Sequence, residues 1–310
     1  MSRADGSGGD SRDAILQDFL AWLDHNDPGG AWYLDEGPAP APDGVQTDVA
    51  PADAAPATGA EAPRGAPVPK PRRPLPPAPE MDPAFRQQCD LFVAQTLGRI
   101  EQAGQEAAGI APDPLLVEAG GDRRAAMDRL RELVLPCTAC ELSQGRTHTV
   151  FGEGNPEAEV VFIGEAPGAD EDAQGQPFVG KSGQLLTKVI AAIGFAREDV
   201  FICNILKCRP PGNRDPLPTE VASCEPHLRR QLAILQPKLI CCLGRIAAQT
   251  LLGTDTSLKR LRETVHFYAG IPVLATYHPA ALLRNPEYKR DTWDDVRKLR
   301  ALHDALAARS

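Results

Sequence analysis

The chain has 310 residues, 42% of them hydrophobic, which is enough for one substantial core plus extensions. The polar, acidic start contains nothing like a signal peptide and no apolar run reaches membrane-spanning length, so a cytoplasmic protein with no membrane contact is expected, and in that reducing compartment clustered members of the eight cysteines point to metal and scattered ones to packing. A net charge of −9 argues at first sight against nucleic-acid binding, but residues 1–120 hold 8 basic and 19 acidic side chains while residues 121–310 hold 25 and 23, so the acidity belongs to a tail and the near-neutral remainder leaves DNA or RNA open as a ligand.

Residues 1–36 are an acidic segment in which AILQDFLAWLDHN places Ile15, Phe19, Leu20 and Leu23 at helical spacing. Two readings fit that spacing: a marginal amphipathic helix without a dedicated partner, or a docking helix for another protein. Residues 37–82 carry thirteen prolines between Pro38 and Pro79 and no periodic apolar residues, too little buriable surface to offset ordering entropy, so a disordered linker is predicted. PAFRQQCDLFVAQTLGRIEQ predicts a helix within a helical connector over 83–120, packed on the edge of the main domain or loosely attached, with Cys89 as a packing residue.

From residue 121 to 310 apolar runs alternate with amphipathic stretches, the pattern of a layered domain. VVFIGE (160–165), VFICNI (200–205), KLICCLG (238–244) and IPVLATYH (271–278) read as buried strands. SGQLLTKVIAAIGF, TEVASCEPHLRRQLAIL, RIAAQTLLG and a last stretch within YKRDTWDDVRKLRALHDALAAR have helical period. The expected architecture is a three-layer α/β/α domain around a mostly parallel, four-stranded central sheet, preceded by a disordered N-terminal extension.

Ligands of open parallel sheets bind beyond the carboxyl ends of the strands. Three of the four expected strands end in polar groups there: Glu165, Asn204 and His278. A carboxylate, an amide and an imidazole on one rim read as a site more readily than as satisfied core polars. The loop after the first strand holds glycines at 164, 168, 175, 180 and 183 with Asp170, Glu171, Asp172 and one aromatic, Phe178. That density of carboxylates disfavours a phosphate cradle, and an aromatic between glycines suits stacking on a flat base as well as plugging a core.

CTAC puts Cys137 and Cys140 at metal-ligand spacing. Cys208, in NILKCRPPGNRDP, and Cys224, read as lying in the first turn of a helix, complete a set of four. Four thiolates fit zinc or an iron–sulfur cluster, and one close pair joined to two distant single residues leans toward the cluster without deciding it. Cys203, Cys241 and Cys242 sit in apolar strand runs and read as packing residues.

Four stretches, CTACELSQGRTHTVFGEGN, GEAPGADEDAQGQPFVGKSGQLL, CNILKCRPPGNRDP with the later Cys224, and YHPAALLR, together resemble the family 4, iron–sulfur uracil-DNA glycosylases over residues 130–300. The resemblance implies a [4Fe–4S] cluster on Cys137, Cys140, Cys208 and Cys224, and uracil-containing DNA as substrate. It implies that Phe178 stacks on the extruded base within a pocket that includes Gly164 and Ala166, that Asn204 reads the uracil edge, and that His278 hydrogen-bonds O2. Glu165 or Glu171, with Glu165 favoured, is implied to position the attacking water. Another branch of the superfamily carries Asp where this chain has Ala166. AALLR would enter the minor groove with Leu282 or Leu283 as wedge and Arg284 on phosphate, the alternative being a helix start whose leucines pack inward. Lys207, Arg209 and Arg214 are expected near the DNA backbone.

The cross-linking X-type relatives carry a histidine in a basic insertion where this chain has RPPGNRDPLP, so permanent cross-linking is not expected. Two other readings compete: a cluster-bearing DNA-binding or polymerase-associated module without catalysis, and a zinc-ribbon protein with an unrelated α/β domain. The expected enzyme is a monomer whose N-terminal extension recruits a repair or replication protein or shields nonspecific DNA binding.

Overall fold

The structure, a computed structural model, describes residue 75 and residues 78–106 and 109–309. The acidic N-terminal segment with its amphipathic stretch, and nearly all of the Pro/Ala-rich linker, lie outside the described residues. In chain order come α1 (Pro83–Glu106), α2 (Pro114–Glu118), α3 (Arg123–Val134), α4 (Leu142–Gly145), β1 (Glu153–Gly154), β2 (Val160–Gly164), α5 (Ala169–Gln174) and α6 (Lys181–Ala192). They are followed by β3 (Phe201–Asn204), α7 (Pro218–Leu235), β4 (Leu239–Leu243), α8 (Arg245–Leu252), α9 (Leu258–Glu263), β5 (His266–Tyr268), β6 (Ile271–Thr276), α10 (Pro279–Arg284) and α11 (Tyr288–Ala307).

The four expected strands are β2, β3, β4 and β6, and all but the first residue of β6 are buried. They pair in parallel in the order β3-β2-β4-β6. The sheet nevertheless has six strands, because β1 and β5 add antiparallel edges beside β3 and β6. Two residues in β1 and three in β5 are too few to show an alternating pattern, and none of them is fully buried, which is why the sequence reading gave four.

Alternation along each strand divides the core in two. Val161, Ile163, Cys203, Ile240, Cys242, Val273 and Ala275 face a layer built from α2, α3, α7 and α8. Val160, Phe162, Ile202, Cys241, Leu243 and Leu274 face α6 and α11. The three-layer expectation is met, and Cys203, Cys241 and Cys242 pack as read, each at most 1% exposed. From β2 the chain crosses to β3 on one side and then to β4 on the other, so a crevice opens where these strands end.

The connector is part of the packed body. Phe85 on α1 is buried under the Arg297 guanidinium of α11, 3.8 Å from the ring centroid, and Arg99 donates to the Val265 carbonyl at 2.6 Å. Asp113 caps α2 through Leu115 N at 2.9 Å and pairs with Arg230 of α7 at 2.8 Å, while Leu115 and Leu116 enter the core. Cys89 is buried, as its packing role requires. Among the described residues no helix is long and apolar enough to cross a membrane.

If α1 belongs to the cooperative unit, Phe85→Ala should lower unfolding free energy by about 3 kcal/mol in a urea titration. An unchanged midpoint would show that α1 is an attachment.

Candidate active site

The strand ends assemble one pocket rim. Asn204 closes β3, Glu165 follows β2, and His278 lies two residues beyond β6. At Asn204 the side chain is 2% exposed and its Oδ1 is a buried acceptor without a hydrogen-bond partner. That orphan faces Gly164 and the Phe178 ring: a Cβ on Gly164 would collide with both, so only glycine lets the amide and the aromatic approach so closely over β2. Leaving a buried acceptor unpaired costs about 1–3 kcal/mol, which a ligand N–H would recover.

Phe178 is set in place by its loop. Its φ of +52° is a left-handed conformation that costs a non-glycine residue on the order of 1–3 kcal/mol, and Gly183 on α6 lies so close to the Phe178 carbonyl that any Cβ there would strike it. The Glu171 carboxylate offsets that cost by accepting from three backbone amides: Oε2 takes Gly168 N at 3.1 Å, and Oε1 takes Val179 N at 2.9 Å and Gly180 N at 3.0 Å. Glu171 is buried and fully engaged in closing the loop, so its alternative placement as the water-positioning acid is corrected. Arg197 braces the same loop by donating to the Pro177 carbonyl at 2.6 Å.

His278 is the N-cap of α10. Its Nδ1 accepts from Ala280 N at 3.1 Å with Pro279 in the first turn, so the proton of the neutral ring sits on Nε2. The imidazole lies 5.5 Å from the Phe178 ring, tilted by 32°. Burial, with Arg284 nearby, pushes its pKa down to about 4, so the ring is neutral at physiological pH. Beneath it Thr276 donates to Asp295 at 2.8 Å, and Asp295 is held by Arg262 at 2.6 Å, which anchors the end of β6 to α11.

Glu165 has the opposite perturbation. Burial first, then the Asp215 carboxylate, lift its pKa to about 6, with Arg245 pulling the other way. Sequence reasoning missed Asp215 and Arg245, which pair with each other at 2.9 Å. The available signal was Arg245 at the carboxyl end of β4, the strand without a polar last residue.

The structure redirects several expected DNA contacts. Lys207 is 1% exposed and donates to the Asn204 carbonyl and Gln231 Oε1, so it points into the body and not at a phosphate. Leu282 is 2% exposed and packs in the core beside α6 and α11, which excludes it as a wedge. Leu283 is half-buried and Arg284 exposed. Arg214 is exposed but chelates Glu220 through two hydrogen bonds, and Arg209 bonds Asn213 at 2.9 Å. Ala166 is half-buried against the core and carries no acid–base group.

Helix α7 begins at Pro218, so Cys224 lies in its second turn, not its first. Burial raises the Cys208 and Cys224 thiols, and neighbouring cysteines add to it: Cys140 and Cys137 act on Cys208, and Cys208 and Cys140 act on Cys224. Burial is the larger cause in both, lifting Cys224 to about 11. Nitrogen groups face the sulfurs, with Arg146 donating to Cys208 Sγ at 3.1 Å, Lys207 N to Cys224 Sγ at 3.2 Å, and His227 Nε2 3.2 Å from Cys137 Sγ. A donor-rich shell around clustered sulfurs fits an anionic metal–thiolate group. Among the described residues no three His, Cys, Asp or Glu side chains form a ligand set for a single metal ion.

Residues 151–297 match the family model described as the uracil DNA glycosylase superfamily. The chain is 44% identical over 182 residues to a type-4 uracil-DNA glycosylase of Archaeoglobus fulgidus, covering 56% of this chain and 92% of that protein. It is 42% identical over 183 residues to one of Thermotoga maritima, covering 58% and 95%. A type-5 uracil-DNA glycosylase of Pyrobaculum aerophilum is 33% identical over 147 residues, covering 42% and 64%. The chain belongs to the type-4 uracil-DNA glycosylases.

Nitrogen-detected NMR of the imidazoles should show His278 as the Nε2–H tautomer, neutral down to about pH 4. Titration near the unperturbed value of about 6.5 would show that the ring is not buried as described.

Proposed function

We propose that the chain extrudes uracil from DNA and hydrolyses its N-glycosidic bond, leaving an abasic site. The observation that carries this reading is the unpartnered Asn204 Oδ1 beside the Phe178 ring, with the neutral His278 at the same rim. In uracil N3 carries a hydrogen and O4 is an acceptor, so an amide turned with Oδ1 to N3–H and Nδ2 to O4 satisfies both. Cytosine presents an acceptor at N3 and a donor at N4, and two like groups then face each other on each contact. Phe178 stacks on the flat base, and exclusion of water at the pocket strengthens each of these contacts.

Bond cleavage sends negative charge onto the departing uracil, concentrated at O2 and N1. The Nε2–H of His278 meets it at O2, and because the ring is neutral the hydrogen bond strengthens as charge grows without a fixed cation holding the ground state. Positive charge develops on the sugar, and the Glu165 carboxylate offsets it while orienting the attacking water; the methyl of Ala166 offers no alternative base. This task needs Glu165 ionised, and its pKa of about 6 makes it so at neutral pH.

Cys137, Cys140, Cys208 and Cys224 would hold a [4Fe–4S] cluster, whose four irons take one thiolate each and so ask for sulfurs spread wider than around one zinc ion. Hydrolysis moves no electrons, so the cluster would supply a rigid cross-link among α7, the CTAC segment and the chain after β3. Arg209 and Arg284 are left for phosphates, and Leu283 for the step vacated by the base. The enzyme works as a cytoplasmic monomer, with the N-terminal extension engaging a repair or replication protein.

A single-uracil oligonucleotide, followed by alkali and a denaturing gel, tests the reading. Wild type should cleave at uracil, His278→Ala should lose about a hundredfold or more in kcat, and Asn204→Ala should lose both rate and discrimination against cytosine. No cleavage by a folded, iron-loaded sample would leave a DNA-binding module in place of an enzyme. The rate should fall as pH drops through about 6, where Glu165 takes up a proton, and Glu165→Gln should be slow and flat across that range. Arg284→Ala should reduce the slope of log affinity against log salt by about one.

A further inference from the structure

Lys207 is the least expected side chain near the site. It follows Asn204 by three residues and immediately precedes Cys208, in a stretch whose other cations, Arg209 and Arg214, reach the surface. Its ammonium is buried instead, donating to the Asn204 carbonyl at 2.8 Å and to Gln231 Oε1 at 2.6 Å. Gln231 is itself fully buried, and its Nε2 is committed to the Phe151 carbonyl at 2.8 Å, which turns its oxygen toward the ammonium. Both acceptors are neutral. Among the described residues no carboxylate forms an ion pair with Lys207, and burying an ammonium without an opposite charge is strongly unfavourable.

The candidate counter-charge lies next door. The Lys207 backbone donates to Cys224 Sγ at 3.2 Å, and Cys208 is the next residue. Four thiolates around an iron–sulfur core would carry net negative charge into this region.

We propose that Lys207 is the buried counter-cation of the cluster and the strut that fastens it to the base-reading Asn204. The proposal rests on the [4Fe–4S] reading of the four cysteines. One ammonium balances the cluster's charge and pins the main chain at the end of β3, so cluster content and the aim of the Asn204 amide are linked through a single side chain. Lys207 is a positioning residue in this scheme, because it reaches neither base nor DNA.

Full-length protein, purified without oxygen as wild type, Lys207→Met and Lys207→Arg, provides the test. Iron content, cluster midpoint potential, kcat/KM on single-uracil DNA and affinity for uracil-free DNA are measured on each. Wild type should hold about four irons per chain. Lys207→Met, similar in length but uncharged, should show a lower midpoint potential than wild type if it keeps iron, or should lose iron under conditions where Lys207→Arg retains it. Its kcat/KM should fall about tenfold or more while affinity for uracil-free DNA is unchanged. An iron-loaded Lys207→Met with wild-type potential would overturn the counter-cation role, and unchanged kcat/KM would overturn the strut. Loss of iron from both variants would make the position one of shape and not of charge, and would also overturn the proposal. Iron-free wild type would instead sink the cluster reading, and this inference with it, before any variant is compared.

Discussion

The pocket depends on one carboxylate accepting from three backbone amides. Glu171 closes the loop between β2 and α6 by taking Gly168, Val179 and Gly180, and only a closed loop holds Phe178 in its left-handed conformation over Gly164. Charged acceptors make the stronger hydrogen bonds, and three of them on one buried group outweigh a single unfavourable residue. The acidic character of the loop, which told against phosphate binding, therefore has a local purpose. Asp172 serves it too, accepting from Thr147 N at 2.9 Å and so tying the loop to the segment after CTAC.

Two titratable groups share the rim, and burial moves both toward neutrality by shifting them in opposite directions on the pH scale. His278 starts below neutral pH and is pushed further down, while Glu165 starts low and is lifted only to about 6. At pH 7 the result is a neutral imidazole and a carboxylate anion on the same rim.

Much of this was legible in the sequence because the central strands are buried on both faces and so appear as unbroken apolar runs. Their ends were legible too: Glu165, Asn204 and His278 interrupt those runs with polar groups, and the structure brings all three to one rim. What the sequence did not disclose was direction. Lys207 lies among arginines in a loop that looks solvated, yet it turns inward because Gln231, twenty-four residues on, offers it an oxygen. Leu282 and Leu283 are adjacent and alike, and only the docking of α10 against α6 and α11 separates a core residue from a surface one. Glu171 and Glu165 are both acids of one loop, and their surroundings differ: three amides converge on the first, while burial and Asp215 act on the second. These are long-range facts that no periodicity encodes, as are the short edge strands β1 and β5.

The eight cysteines are distributed unequally with respect to solvent. Six are buried, and Cys137 and Cys140 are the two that are partly exposed. An oxidant arriving from outside thus meets the CTAC pair first, while Cys203, Cys241 and Cys242 are shielded by the sheet and its helices. The chain's vulnerability to oxygen is concentrated at a single doorway, and damage there would start at the CTAC segment.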